Sequence, residues 1–358
     1  MAYSIHENIK QASTMPADFY LDSEVFTRSA ESIFARSWHF IGQSAEYPAT
    51  LNAFPHTLYP GFLEEPILLT RTPEGMRCLS NVCTHRGNLL MADAGKHRQI
   101  VCGYHGRRFS LEGQMTHMPE FGEVEDFPAA CDHLAQYPLE NWNGFYFTSP
   151  QPAFPFSEIA EVLDHKVGFL PWEEFRFDAT RSRDYLVKAH WALYCDNYLE
   201  GFHIPFVHPD LNALLDFGSY YTELYPYLNL QVGLADGATE VFELPRDHED
   251  YGKQVAAYYF WIFPNQMWNV YPWGLSVNVL QPLGPARTKV SFLSYVWDES
   301  KLAESAGADL DKVEREDEAV VEAVQRGLRS RHYTRGRYSP TREQGVHHFH
   351  RLLSQFLD

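Results

Sequence analysis

The sequence is short of positive charge. Its 358 residues carry 29 Lys and Arg against 47 Asp and Glu, a formal net charge of −18. That balance argues against a nucleic-acid or anionic-membrane partner and leaves room for a cationic substrate or a basic protein. Long apolar runs are missing too. The longest aromatic-aliphatic stretch, 255–263, is too short to span a bilayer as a helix. The first residues, Met1 to Glu7, hold no apolar signal core, so a soluble cytoplasmic chain is expected. The chain also lacks a glycine-rich dinucleotide fingerprint, an internal repeat and any low-complexity tract. Cysteine is scarce, with five in all.

What is present is an unusual pairing. Cys83-Thr84-His85 is followed, sixteen residues on, by Cys102-Gly103-Tyr104-His105. Two thiolates and two imidazoles suit a 2Fe–2S centre of the Rieske type, in which two His replace two Cys on one iron. Zinc takes the same donors in a tetrahedral shell, but zinc fingers usually keep the two Cys together and the two His together. Here each loop supplies one of each, as two hairpin loops gripping a binuclear cluster require. Gly87 and Gly106 follow the two His and would permit close backbone approach. Cys78, Cys131 and Cys195 remain, most simply as buried free thiols in a reducing compartment.

Turn and strand signals divide the chain. Residues 1 to about 40 read as helical, 40–150 as short strands between Gly, Pro and Asn turns. The Pro-rich connector 149–155 marks a boundary. Beyond it, helices are expected around 156–170, 190–204 and 311–331. Strands are expected around 180–189, 221–234, 256–271, 275–281 and 288–297. Strands plus a long late helix give an α+β arrangement. The expected domains are 1–39, 40–150 with the cluster loops, and 151–358.

The segment 196–208 holds a second constellation. On a helix Asp196, Glu200 and His203 share one face, and Pro205 can end that helix so that His208 returns to the same point. A His pair alone also suits a hydrogen-bonded core pair. A 2-His-1-carboxylate triad, however, leaves open positions on Fe(II) for oxygen chemistry. Asp317 is the best third ligand. It lies on the apolar stripe of a late helix, where an unpaired carboxylate is costly, although a buried ion pair would also explain it. Glu316 and Glu318 beside it read as solvated or supporting.

Together, Cys83-Thr84-His85-Arg86-Gly87, Cys102-Gly103-Tyr104-His105-Gly106, the D-N-x-x-E-x-x-H-x-x-x-x-H run at 196–208 and the acidic stretch 316–322 resemble the Rieske non-haem iron oxygenases. The resemblance covers essentially the whole chain. One departure is Arg107-Arg108-Phe109, where many members have Trp after the second His-Gly. The family implies an all-β Rieske domain inserted in a helix-grip catalytic domain, an antiparallel sheet around a long helix. It implies a Rieske 2Fe–2S cluster on Cys83, His85, Cys102 and His105, and mononuclear Fe(II) on His203, His208 and Asp317. It implies O2 as cosubstrate, and NAD(P)H electrons through a separate flavin/iron-sulfur reductase. It further implies that Glu200 bridges to a cluster histidine, by position His105, of a neighbouring subunit in a homotrimer. The plainer role for Glu200, and for Asp196, is to orient an iron ligand.

The substrate is the least legible part. The run 258–273 reads as ring-packed hairpin strands. Trp261, Phe263, Trp268, Tyr271 and Trp273 are either core or an aromatic cage for a quaternary ammonium. The tail 336–350 resembles the ending of choline, glycine-betaine and carnitine oxygenases, and its His347, His348 and His350 read as surface or helix-capping residues. The favoured expectation is hydroxylation or N-demethylation of a quaternary or tertiary amine. Hydroxylation of an aromatic ring or aryl acid is the alternative. A non-enzymatic Rieske electron carrier is a third reading, for which the chain is far larger than needed.

Overall fold

The computed structural model describes residues 3–208, 220–235, 240–302 and 310–357. The chain divides into two compact units, Met1–Phe34 with Phe154–Asp358, and Ala35–Ala153.

The smaller unit is built from short antiparallel strands. His39–Gln43, Phe145–Thr148 and Leu139–Trp142 form one sheet, Ala53–Leu58, Glu65–Thr72, Gly75–Ser80 and Gln136–Tyr137 another. The third joins Ile100–Val101, Arg108–Phe109 and Met115–His117. Leu68, Leu79, Ile100, Phe109 and Leu134 pack with Cys83 and Cys102 in one apolar cluster. Burial of these side chains fixes the strands that carry the two cysteine loops.

The larger unit centres on an eight-stranded antiparallel sheet. Its backbone is the succession Leu228–Leu234, Val255–Ile262, Gln266–Tyr271, Gly274–Gly284 and Arg287–Val296, each paired with the next. These strands read as near-continuous apolar runs because both faces are covered. Ser157–Val167 and Leu310–Gly327 are helices, close to expectation.

Three expectations change. Among the described residues the N-terminal region is helical only over Ala17–Leu21, Ser23–Ser29 and the π-turn Ala30–Phe34, and His39–Gln43 is already strand. The helix expected over 190–204 ends at Tyr198, and a separate turn of helix covers Ile204–Val207. The tail forms a further helix, Gln344–Leu357, so His347 and His350 are buried rather than on the surface. Its Phe349 and Phe356 pack against Trp261 and Phe263, which explains why the helix docks on the sheet.

Candidate metal centres

The two cysteine loops are one turn made twice. The Cys83 carbonyl accepts from Gly87 N–H at 3.0 Å, and Cys83 N–H donates to the Asn88 carbonyl at 2.8 Å. In the second loop the Cys102 carbonyl accepts from Gly106 at 3.0 Å, and Cys102 N–H donates to Arg107 at 2.8 Å. Gly87 and Gly106 have φ of +69° and +74°. The turn needs glycine for this left-handed backbone, a stronger reason than close approach alone.

The result is a set of converging donors. The His85 and His105 rings lie 4.7 Å apart, centroid to centroid. Both Nδ1 atoms are buried without a hydrogen-bond partner among the described residues. Two buried, orphaned imidazole nitrogens are costly unless something binds them. Both sulfurs are buried and free. Burial pushes the Cys83 thiol up. At Cys102 burial is outweighed by hydrogen bonds from the Tyr104 backbone, Cys83, the His105 backbone and Asn88, so its thiol is held down. Two sulfurs, which would bind as thiolates, and two free ring nitrogens fit the protein ligands of a 2Fe–2S cluster. Cys78 and Cys195 are buried free thiols, whereas Cys131 is exposed.

The second centre is held by the larger unit. The helix Trp191–Tyr198 is fixed to the sheet by its last residue. Tyr198 donates its hydroxyl to Asn269 Oδ1 at 2.7 Å, and its carbonyl accepts from Gln231 Nε2 at 2.7 Å. The chain then turns. Glu200 caps the next segment, accepting from His203 N–H at 3.0 Å. Pro205 falls in the first turn of Ile204–Val207, where its missing N–H costs nothing, so it starts a helix rather than ending one.

That turn brings His203 and His208 together with Asp317 from the helix Leu310–Gly327. One ligand atom from each lies within 4.8 Å of the others. Asp317 Oδ1 is 3.0 Å from His208 Nε2 and 3.4 Å from His203 Nε2. The remaining ring nitrogens are held from outside. His203 Nδ1 meets Glu200 Oε1 at 2.8 Å, and His208 Nδ1 meets Glu316 Oε2 at 2.7 Å. This arrangement fits a metal, since ligating imidazoles use one nitrogen on the ion and anchor the other on a carboxylate. At His203 burial favours the neutral ring, but Asp317 and Glu200 outweigh it and push the pKa up to about 9. Burial would raise Asp317, but the two imidazoles hold it below its ordinary value.

Asp196 is elsewhere. Its oxygens meet the Tyr20 hydroxyl at 2.7 Å and His350 Nε2 at 2.8 Å, and His350 Nδ1 meets the Tyr338 hydroxyl at 2.6 Å. It therefore ties the helix Trp191–Tyr198 to the N-terminal region and the tail helix, instead of orienting His203 or His208. The five candidate rings are all buried, at 3% exposure or less. Trp261 and Phe263 are taken up by the tail helix. Trp268 pairs with Phe260 and Val277, on the sheet face opposite to Trp261, because side chains alternate along a strand. Tyr271 and Trp273 stack at 5.2 Å beside Tyr259 and Val296. Tyr259 and Tyr220, which sequence reasoning passed over, lie ring to ring at 6.5 Å, and Tyr220 also approaches Gly201 in the turn before His203. A register count along 255–271 would have separated Trp268 from the other face.

Comparisons with known proteins place the chain in a family. Residues 173–358 match the family described as ring hydroxylating alpha subunit (catalytic domain), and residues 37–128 match the Rieske [2Fe-2S] domain. The chain is 29% identical to choline monooxygenase, chloroplastic, of Arabidopsis thaliana, over 96% of this chain and 83% of that protein. It is 29% identical to the carnitine monooxygenase oxygenase subunit of Escherichia coli (strain K12), over 97% and 95%. Among solved structures, a quaternary ammonium Rieske monooxygenase in complex with L-carnitine aligns with TM-score 0.73 and 26% identity, over 97% of this chain and 96% of that one. Naphthalene 1,2-dioxygenase with indole aligns with TM-score 0.71 over 96% and 92%, at 18% identity, a likeness of fold. This chain belongs to the ring-hydroxylating alpha subunits and is an oxidoreductase of the Rieske oxygenase type, with a 2Fe–2S domain and a mononuclear-iron catalytic domain.

Proposed function

We propose that the chain is the oxygenase component of a monooxygenase that hydroxylates, or thereby N-demethylates, a quaternary or tertiary amine. The observation that carries this reading is similarity along nearly the whole chain to both choline and carnitine monooxygenases. The acidic charge and the ring cluster of Tyr259, Tyr271 and Trp273 support it, since aromatic faces attract ammonium groups.

In this reading Cys83, Cys102, His85 and His105 hold the cluster. His203, His208 and Asp317 hold Fe(II), which when bound supplies the reductive activation of dioxygen. Glu200 and Glu316 keep the two imidazoles turned toward the shared point. Glu200 also faces a neighbouring subunit's His105 within a homotrimer. Its hydrogen bond to His203 Nδ1 is the half of that bridge a single chain contains. The exposed Phe206, at 80%, and Phe202 beside the same turn offer apolar surface for such a contact. Electrons come from NAD(P)H through a separate reductase. No described helix is long and apolar enough to cross a membrane, and we place the protein in the cytoplasm.

Oxygen uptake with choline, glycine betaine, carnitine and trimethylamine, against benzoate and naphthalene, tests the substrate class. Coupled uptake with one of the amines, accompanied by hydroxylated product or formaldehyde, is the expected result. Coupled uptake with the arenes alone overturns it.

A further inference from the structure

The departure from the family pattern after the second His-Gly has a structural meaning. Arg107 is 2% exposed, among the largest fully buried side chains. Its Nη1 donates to Thr84 Oγ1 at 2.6 Å, and Thr84 stands between Cys83 and His85 in the other loop. Its Nη2 donates to Asp132 Oδ1 at 3.0 Å, while Thr84 Oγ1 donates to the Asp132 carbonyl at 2.8 Å. The guanidinium lies over Phe121 at 5.7 Å and Phe127 at 5.4 Å from the ring centres. Phe121 in turn meets the His85 ring at 5.6 Å. The Nε–H of Arg107 is buried with no acceptor among the described residues. A Trp at this position would offer bulk; Arg offers a permanent charge and five donors.

We propose that Arg107 is a positioning residue that pins the segment 121–132 to the first cysteine loop and, through its buried charge, raises the reduction potential of the cluster. This rests on the assignment of the cluster to Cys83, His85, Cys102 and His105. Reduction adds one electron to the cluster. A cation fixed one residue from two ligands, and out of water, favours the added negative charge. Its counter-charge is the less buried partner, since the Asp132 side chain is 18% exposed against 2% for Arg107. Water therefore screens the carboxylate more than the guanidinium.

A purely structural role makes the opposite statement about sign. If Arg107 only held the segment 121–132, its removal would let water in, and water favours the more highly charged, reduced cluster. The test is a redox titration of the whole protein, followed by the EPR signal of the reduced cluster, for wild type, Arg107→Met, Arg107→Lys and Asp132→Asn. Absence of a Rieske signal from the wild type would overturn the cluster assignment itself, separately from the proposal. With the signal present, Arg107→Met is expected to shift the equilibrium with a fixed one-electron donor about tenfold toward the oxidised cluster, equivalent to 59 mV. Arg107→Lys is expected to keep most of the wild-type potential, and Asp132→Asn to raise it. An unchanged or raised potential in Arg107→Met overturns the proposal, as does a fall in Arg107→Lys as large as in Arg107→Met. Should Arg107→Met fail to hold the cluster, Asp132→Asn decides: a raised potential supports the proposal, and no change or a fall overturns it.

Discussion

The two centres reach the same end, a set of converging donors, by opposite routes. The cluster loops are backbone constructions. Two glycine turns place the Cys and His, and the Nδ1 atoms of His85 and His105 are left with no partner among the described residues. The second centre is a side-chain construction, in which carboxylates from a turn and a distant helix hydrogen-bond three of the four imidazole nitrogens, and the fourth, His203 Nε2, lies 3.4 Å from Asp317. The lesson is that one site depends on its cofactor for its own polar accounting, and the other carries a substitute network of protons and carboxylates. Loss of the cofactor should therefore be felt very differently in the two units.

The strongest way to break this contrast is to remove the cluster. Cys83→Ser or His85→Ala should abolish the Rieske EPR signal and lower the unfolding temperature of the Ala35–Ala153 unit, because each orphaned buried nitrogen costs about 1–3 kcal/mol. Calorimetry showing no change in that unit would refute the argument. Next in size, His208→Ala should eliminate coupled oxygen uptake and lower bound iron by about one per chain, while the EPR signal of the cluster survives. Parallel loss of both metals would mean that the centres are not separately built. Glu316→Gln should be milder. It removes the anchor of His208 Nδ1, so Fe(II) affinity should fall by about 10–100-fold, with kcat partly restored by excess iron. Equal affinities by equilibrium dialysis would show that Glu316 is a bystander.

The smallest effect concerns acid. In the larger unit Asp250 is buried, which pushes its carboxyl up. Donors from Lys253, Tyr221 and Tyr258, with the charge of Lys166, outweigh this and hold it below its ordinary value of 3.8. A depressed folded pKa gives stability that is present above the unfolded value and lost as pH falls through the folded one. Acid unfolding of this unit should therefore begin below about pH 4, and Asp250→Asn should flatten its pH dependence there. An unaltered slope in that range counts against the assignment.

Much of this was legible in the sequence. The cluster loops were readable because donor types and spacing are chemically restrictive, and Asp317 because an acid on an apolar stripe must be paired. The break at Tyr198 was not, since periodicity continues smoothly through Leu199 and Glu200 and only tertiary bonds from Asn269 and Gln231 decide where the helix stops. Asp196 lost its expected place for the same reason. Its partner His350 lies 154 positions away, beyond any local pattern. Arg107 stood out as an unusual residue, but its burial depends on Phe121, Phe127 and Asp132, which no spacing rule connects to it.

The duplicated turn has one more consequence. Each loop contributes one sulfur and one nitrogen, and in a Rieske cluster one iron takes the sulfurs and the other the nitrogens. With the cluster bound on Cys83, His85, Cys102 and His105, as we propose, each iron would tie both loops together. Opening either loop would then strip a ligand from both irons at once, which disfavours a single-iron remnant. Assembly and failure of this centre are all-or-none, and a damaged chain should be found either fully loaded or empty.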